Sequence, residues 1–132
     1  MARAYLILIG FTFLGFGTWL LLDPEALSRL IGIHWETRAA RTEIRAFYGG
    51  LELGIGLFLV GSGMRRQGVN VGLALVACAL GGAGLARLGS LVQDGREGWQ
   101  MSAIMVMEIV AAVIALLLMG RKPAKPGSTP HS

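Results

Sequence analysis

RAFYGGLELGIGLFLVGSG, residues 45–63, is apolar enough to lie in hydrocarbon, yet it carries Arg45, Tyr48 and Glu52 and repeats glycine every few positions. With Ile44 added it reaches about 20 residues. A helix of that length, rising about 1.5 Å per residue, crosses a hydrocarbon core about 30 Å thick. Three further runs match it. AYLILIGFTFLGFGTWLLL (4–22) has no charge, VGLALVACALGGAGLARLGSLV (71–92) has only Arg87, and MSAIMVMEIVAAVIALLLMG (101–120) has only Glu108. The 132-residue chain is 54% hydrophobic and 15% charged, against about 25% charged residues in a soluble domain.

These features predict an all-α protein: a four-helix transmembrane bundle forming one domain over 1–120, with spans at 4–22, 44–63, 71–92 and 101–120. A secretory signal peptide is the competing reading of the first run. That run is longer than the usual apolar core of about 7–15 residues, and DPEALSR after it has no small-x-small cleavage site, so a retained helix is expected. The tail 121–132, RKPAKPGSTPHS, has proline, lysine and almost nothing apolar, and is expected to be a disordered cytoplasmic segment.

The loop between the first two spans, DPEALSRLIGIHW, predicts a short interfacial helix. Asp23 is a suitable N-cap, Pro24 suits the first helical position, Leu27, Leu30 and Ile31 share a face, and Gly32 offers a stop. Trp19, Trp35 and Trp99 all fall at the same expected membrane boundary, where amphipathic rings prefer to lie. Arg3, Arg65, Arg66, Arg121, Lys122 and Lys125 lie on the N-terminal side with no acidic residue. Arg29, Arg38, Arg41 and Arg96 lie opposite, among six acidic residues. The positive-inside rule then places both termini in the cytoplasm. The basic pI of about 10.0 reads as attraction to an anionic leaflet, not to nucleic acid.

Glycine at this density predicts close helix packing, because small residues let backbones approach in lipid. Gly50 and Gly54 offer one four-residue step, and Ala74, Cys78, Gly82, Ala86 and Ser90 form a seam along the third span. A glycine-rich phosphate cradle lacks its strand-turn-helix context. A lone Cys78 gives no disulfide and no thiolate metal site.

The intramembrane charges carry the functional expectation. Arg41, Arg45, Tyr48 and Glu52, spaced 4, 3 and 4, form a single stripe on a regular helix. Helical rise puts Glu52 about 12 Å into the membrane, Glu108 about 10 Å and Arg87 about 7 Å, all from the outer side. A charge at the bilayer centre costs about 2.5–3.5 kcal/mol on the mildest scale, so such groups pair, and by default they mark function. Arg87 is expected to pair with Glu52 and Glu108, with Arg45 and Tyr48 closing the mouth. The competing reading is a polar clasp that only fixes helix register. His34 and His131 cannot supply bis-histidine haem ligation within the bundle or a histidine-carboxylate metal cluster. Neither catalytic residues, cofactor nor metal is therefore expected.

At RTEIRAFYGGLELGIGLFL, preceded by LLLDPEALSRLIGI and followed by GLARLGSLVQDG and ME, the chain resembles bacterial four-helix membrane proteins grouped as a domain of unknown function, DoxX-like in general character. The resemblance covers about residues 4 to 120, and R-x-x-Y-G-G-x-E-x-G is its most specific part. It implies Arg45, Tyr48, Gly49, Gly50, Glu52, Gly54, Arg87 and Glu108 as characteristic positions, and it implies no activity. The leading expectation is a non-enzymatic membrane protein that binds a lipid-like or small amphiphilic ligand at the outer Arg/Glu cluster. Two other classes stand beside it: a dimeric proton-coupled transporter, and a subunit of a membrane redox complex. In the latter the small-residue seam would dock a partner; a homodimer is the other use of such a seam.

Overall fold

The computed structural model describes residues 1–32, 34, 36–95 and 98–120. The expectations for Trp35, Arg96, Glu97 and the tail 121–132 lie outside them. The described residues are helical with short connections: α1 (Ala2–Leu22), α2 (Glu25–Ile31), α3 (Arg38–Ile44), α4 (Glu52–Met64), α5 (Val69–Asp94) and α6 (Gly98–Met119). A π-helical segment, Arg45–Leu51, joins α3 to α4, and a 3₁₀ turn, Arg66–Gly68, joins α4 to α5. Four helices are long and apolar enough to cross a membrane: Ala2–Leu22, Arg38–Met64, Arg66–Asp94 and Gly98–Met119. The second span therefore starts six residues before the expected Ile44. Thr37 caps it, its hydroxyl accepting the Ala40 N–H at 3.2 Å, which ties off a free donor of the first turn.

The spans pair antiparallel, α1 against the π segment and α4, and α5 against α6. Close backbone approach sets both pairs. A Cβ on Gly56 would stand 2.8 Å from the Gly10 carbonyl oxygen, and one on Gly17 would stand 2.9 Å from both the Gly49 oxygen and the Leu53 nitrogen. Gly49, Gly56 and Gly63 all meet α1 in this way, so the seam steps by seven residues. The four-residue steps expected from the sequence are not used within the chain. Nothing lies within 4 Å of a Cβ on Gly54 or Gly82, and Gly50 meets only its own helix, at 3.8 Å. Cys78, Gly82 and Ala86 face outward. A period of four keeps small residues on one face, but which face meets a neighbour depends on the partner helix, and α6 meets α5 through Gly84 and Gly81 instead.

The two pairs share a core only at one end, where Leu6, Leu59, Leu73, Val76 and Ala115 bring all four spans together. Arg3 closes that end, its Nε donating to the Gly63 carbonyl at 2.8 Å and its Nη2 to the Met64 carbonyl at 3.0 Å. It thus satisfies acceptors that the last turn of α4 leaves free. The Tyr5 hydroxyl donates to the Ala111 carbonyl at 2.6 Å, tying α1 to α6. At the opposite end, among the described residues, a separate core of Leu20, Ala26, Leu27 and Ile44 belongs to α1, α2 and α3. The pairs therefore part towards that end.

The short helix after the first span is present, and Gly32 ends it at φ +72°. Asp23 is not its cap: the Asp23 carboxylate is held by Arg29, and Pro24 occupies the N-cap. Arg41 reaches across to Glu25 at 2.7 Å and fastens α3 to α2.

Candidate functional site

The gap between the parted pairs is a cleft with charged groups at its centre. Arg87 lies one turn beyond Gly84 on the same face of α5, and the glycine brings α6 so close that a Cβ added there would stand 3.4 Å from the Glu108 Cβ. The Arg87 Nη1 then donates to both Glu108 oxygens at 2.6 Å. Charge-assisted bonds of this length are the strong kind. A single nitrogen makes both of them. Among the described residues, no other guanidinium nitrogen of Arg87 has a protein acceptor.

Glu52 opens α4, directly after the π segment, where Gly17 of α1 lets the backbones close. Its Oε2 is buried and has no hydrogen-bond partner among the described residues. The expected Arg87–Glu52 pair does not form; Arg87 is taken by Glu108. Buried polar atoms are nearly always satisfied, so an orphan carboxylate oxygen asks what completes it.

Two chambers flank this centre. One, of about 400 Å³, lies between α1, α2 and α6, walled by Phe13, Phe16, Leu27, Leu30, Ile104 and Met107. The apolar face of α2 is thus turned into the cleft as a roof. The other, of about 460 Å³, lies between the π segment, α4 and α5, with Phe47, Ile55 and Leu80 in its wall and Glu43 at its edge. Tyr48, Glu52, Arg87 and Glu108 line both. These volumes fall within the usual range for small-molecule sites, about 300–1,000 Å³, and so does the ratio of many apolar walls to a few polar groups.

Arg45 is the expected member that the structure leaves out. It is exposed and lines neither chamber. The stripe expected from 4, 3, 4 spacing requires a regular α-helix, whereas the π segment begins at Arg45. One extra residue per turn rotates the rest of the helix by about 100°, so Tyr48 and Glu52 face the cleft while Arg45 does not. Single π turns occur often at functional sites. The paired glycines Gly49 and Gly50 in its middle were the sequence signal for such a departure. The aromatic walls and the roof from α2 gave no separate signal, since apolar residues in a span face lipid or protein alike.

The arrangement defines a class: a four-span α-helical membrane protein with an ion pair and an unpaired carboxylate inside a cleft between two helix pairs. The family model for DUF4345, a domain of unknown function, matches residues 1–119. The chain belongs to that family. No curated protein and no solved structure matches it.

Proposed function

We propose that this protein binds a small amphiphile in the cleft, with the apolar body in the chamber beneath α2 and the polar head at Glu52. The observation that carries the reading is the buried Glu52 Oε2, which has no partner among the described residues. Leaving such an acceptor empty costs about 1–3 kcal/mol, and more for a charged group. A ligand that donates to it recovers that cost. Arg87 and Tyr48 stand beside it as further hydrogen-bonding groups. A clasp that served only helix register would need the Arg87–Glu108 pair and would have no use for a second carboxylate left without a partner in a cavity. The same proposal places the end closed by Arg3, Arg65 and Arg66 in the cytoplasm, by the positive-inside rule, so the cleft opens in the outer half of the bilayer.

Native mass spectrometry of protein released gently from its own membranes tests the reading, with Glu52→Gln beside the wild type. The expected result is a discrete bound mass on the wild type, absent from a folded Glu52→Gln. Wild-type protein that carries no bound mass, or a mass retained equally by the variant, refutes it.

A further inference from the structure

The charges around the cleft do not balance, and the imbalance says what kind of head the site accepts. Glu52, Glu108 and, at the edge of the second chamber, Glu43 face it, against the single guanidinium of Arg87. Among the described residues, the nearby cations are engaged or averted: Arg41 is bonded to Glu25, and Arg38 and Arg45 line neither chamber. Arg87 is itself committed to Glu108. Glu52 is thus left without a cation among the described residues, and a cation bound beside it would hold its carboxylate in the charged form.

An anionic head is unsuited to this space. It could reach Arg87 only by sitting against two or three carboxylates, and like charges brought together in a poorly solvated site reject a ligand strongly. A neutral hydroxyl would satisfy the hydrogen bond and leave the charge. An ammonium head would do both. The walls fit it as well, because Phe13 and Tyr48 line both chambers, Phe16 the first and Phe47 the second. Aromatic faces attract a desolvated cation by about 2 kcal/mol or more per favourable contact. Resting on the amphiphile-binding reading, the geometry points to a cationic amphiphile as the ligand class: an amine or ammonium head held between Glu52 and the aromatic rings, with one apolar chain along the α2 chamber. The Arg87–Glu108 pair stays intact and makes the wall against which the head is positioned.

The test uses the full chain in neutral maltoside micelles and three probes with the same decyl chain: decylammonium, decanol and decyl sulfate. Binding is read by equilibrium dialysis and by the shift of the thermal unfolding midpoint, since a ligand of the native state raises it. Decylammonium is expected to bind about tenfold or more tighter than decanol, an advantage in line with the gain from cation–aromatic contact and charge neutralisation. Decyl sulfate is expected to bind least, and Glu52→Gln to remove the decylammonium advantage. Equal binding of decanol and decylammonium, both lost in Glu52→Gln, would overturn the cationic assignment while leaving the cleft as an amphiphile site. Tightest binding by decyl sulfate would overturn it too and make Arg87 the anchor. Failure of all three probes would remove both readings. The comparison among probes on the wild type needs no variant, so a Glu52→Gln protein that did not fold would not shield the proposal.

Discussion

Removing the Arg87–Glu108 pair one member at a time, and then together, probes whether the charges in the membrane are coupled as the geometry requires. Two unit charges about 4 Å apart attract by about 4 kcal/mol at an effective dielectric constant of about 20. Here a single guanidinium nitrogen lies 2.6 Å from both carboxylate oxygens. The Arg87 side chain is 36% exposed and that of Glu108 15%, so screening and desolvation reduce the net coupling to about 2 kcal/mol. Glu108→Gln strands Arg87, and Arg87→Gln strands Glu108; each is expected to cost about 3 kcal/mol, because one unpaired charge remains. The double variant strands neither and is expected to cost about 4 kcal/mol, roughly 2 less than the sum of the singles. Reversible unfolding in mixed micelles of maltoside and dodecyl sulfate, followed by far-ultraviolet circular dichroism, measures all four stabilities. Additivity within about 0.5 kcal/mol, the agreement found for independent sites, would refute the pairing. It would leave α5 and α6 held by packing at Gly81 and Gly84 without help from the charges.

The same geometry sets the outcome of four further substitutions. Glu52→Gln is expected to be at least as stable as the wild type, by up to about 1 kcal/mol in the same unfolding assay, because it removes a carboxyl group whose Oε2 is buried without a partner among the described residues; a loss of 2 kcal/mol or more would reveal a bonded Glu52. Gly17→Ala is expected to cost about 1–3 kcal/mol, since its Cβ would press on backbone atoms at 2.9 Å that cannot yield as a side-chain end can. Gly54→Ala, which meets nothing within 4 Å, is its control: it is expected to be neutral or to gain from helix propensity, by up to about 1 kcal/mol, and equal costs at the two sites would contradict the seven-residue seam. Arg3→Gln is expected to lose about 1 kcal/mol with its bonds to the last carbonyls of α4, and to speed hydrogen exchange in the turn at 65–68; unchanged exchange there would show that the cap has no such role.

What could be read from the sequence and what could not divides along physical lines. Hydropathy over about 20 residues reports the solvent directly, so the four spans were legible, and Gly32 marked the end of α2 because only a residue without Cβ takes its backbone conformation easily. Glu52, Arg87 and Glu108 stood out because charge is rare in apolar spans, and the structure brings all three to one cleft with Tyr48. Partner choice was less legible. Arg87 had two carboxylates at similar depth, and only the close approach of α6 to α5 at Gly84 decides that Glu108 receives it. Glycine spacing misled for a related reason. Gly50 with Gly54, and Cys78 with Gly82 and Ala86, make faces as smooth as the one used, but a pattern within one helix does not say where its neighbour stands. The inner seam of Gly49, Gly56 and Gly63 takes its period of seven from the antiparallel α1.

The π segment links these failures to the site. In an unbroken α-helix Arg45 would stand one turn above Tyr48 and two turns above Glu52 on one face, and would bring a second guanidinium to the mouth of the cleft. Seven residues of π-helix, Arg45–Leu51, turn the arginine away and bring Gly49 against Leu21 of α1, where a Cβ would meet three atoms at 3.0–3.1 Å. The wider turn is held in place by that contact on one side and by the Thr37-capped α3, fastened to Glu25 through Arg41, on the other. A π segment and a carboxylate oxygen without a partner among the described residues thus occur next to each other in the chain. Under the amphiphile-binding proposal, the π segment keeps Arg45 out of the cleft and leaves that carboxylate open to the head that enters it.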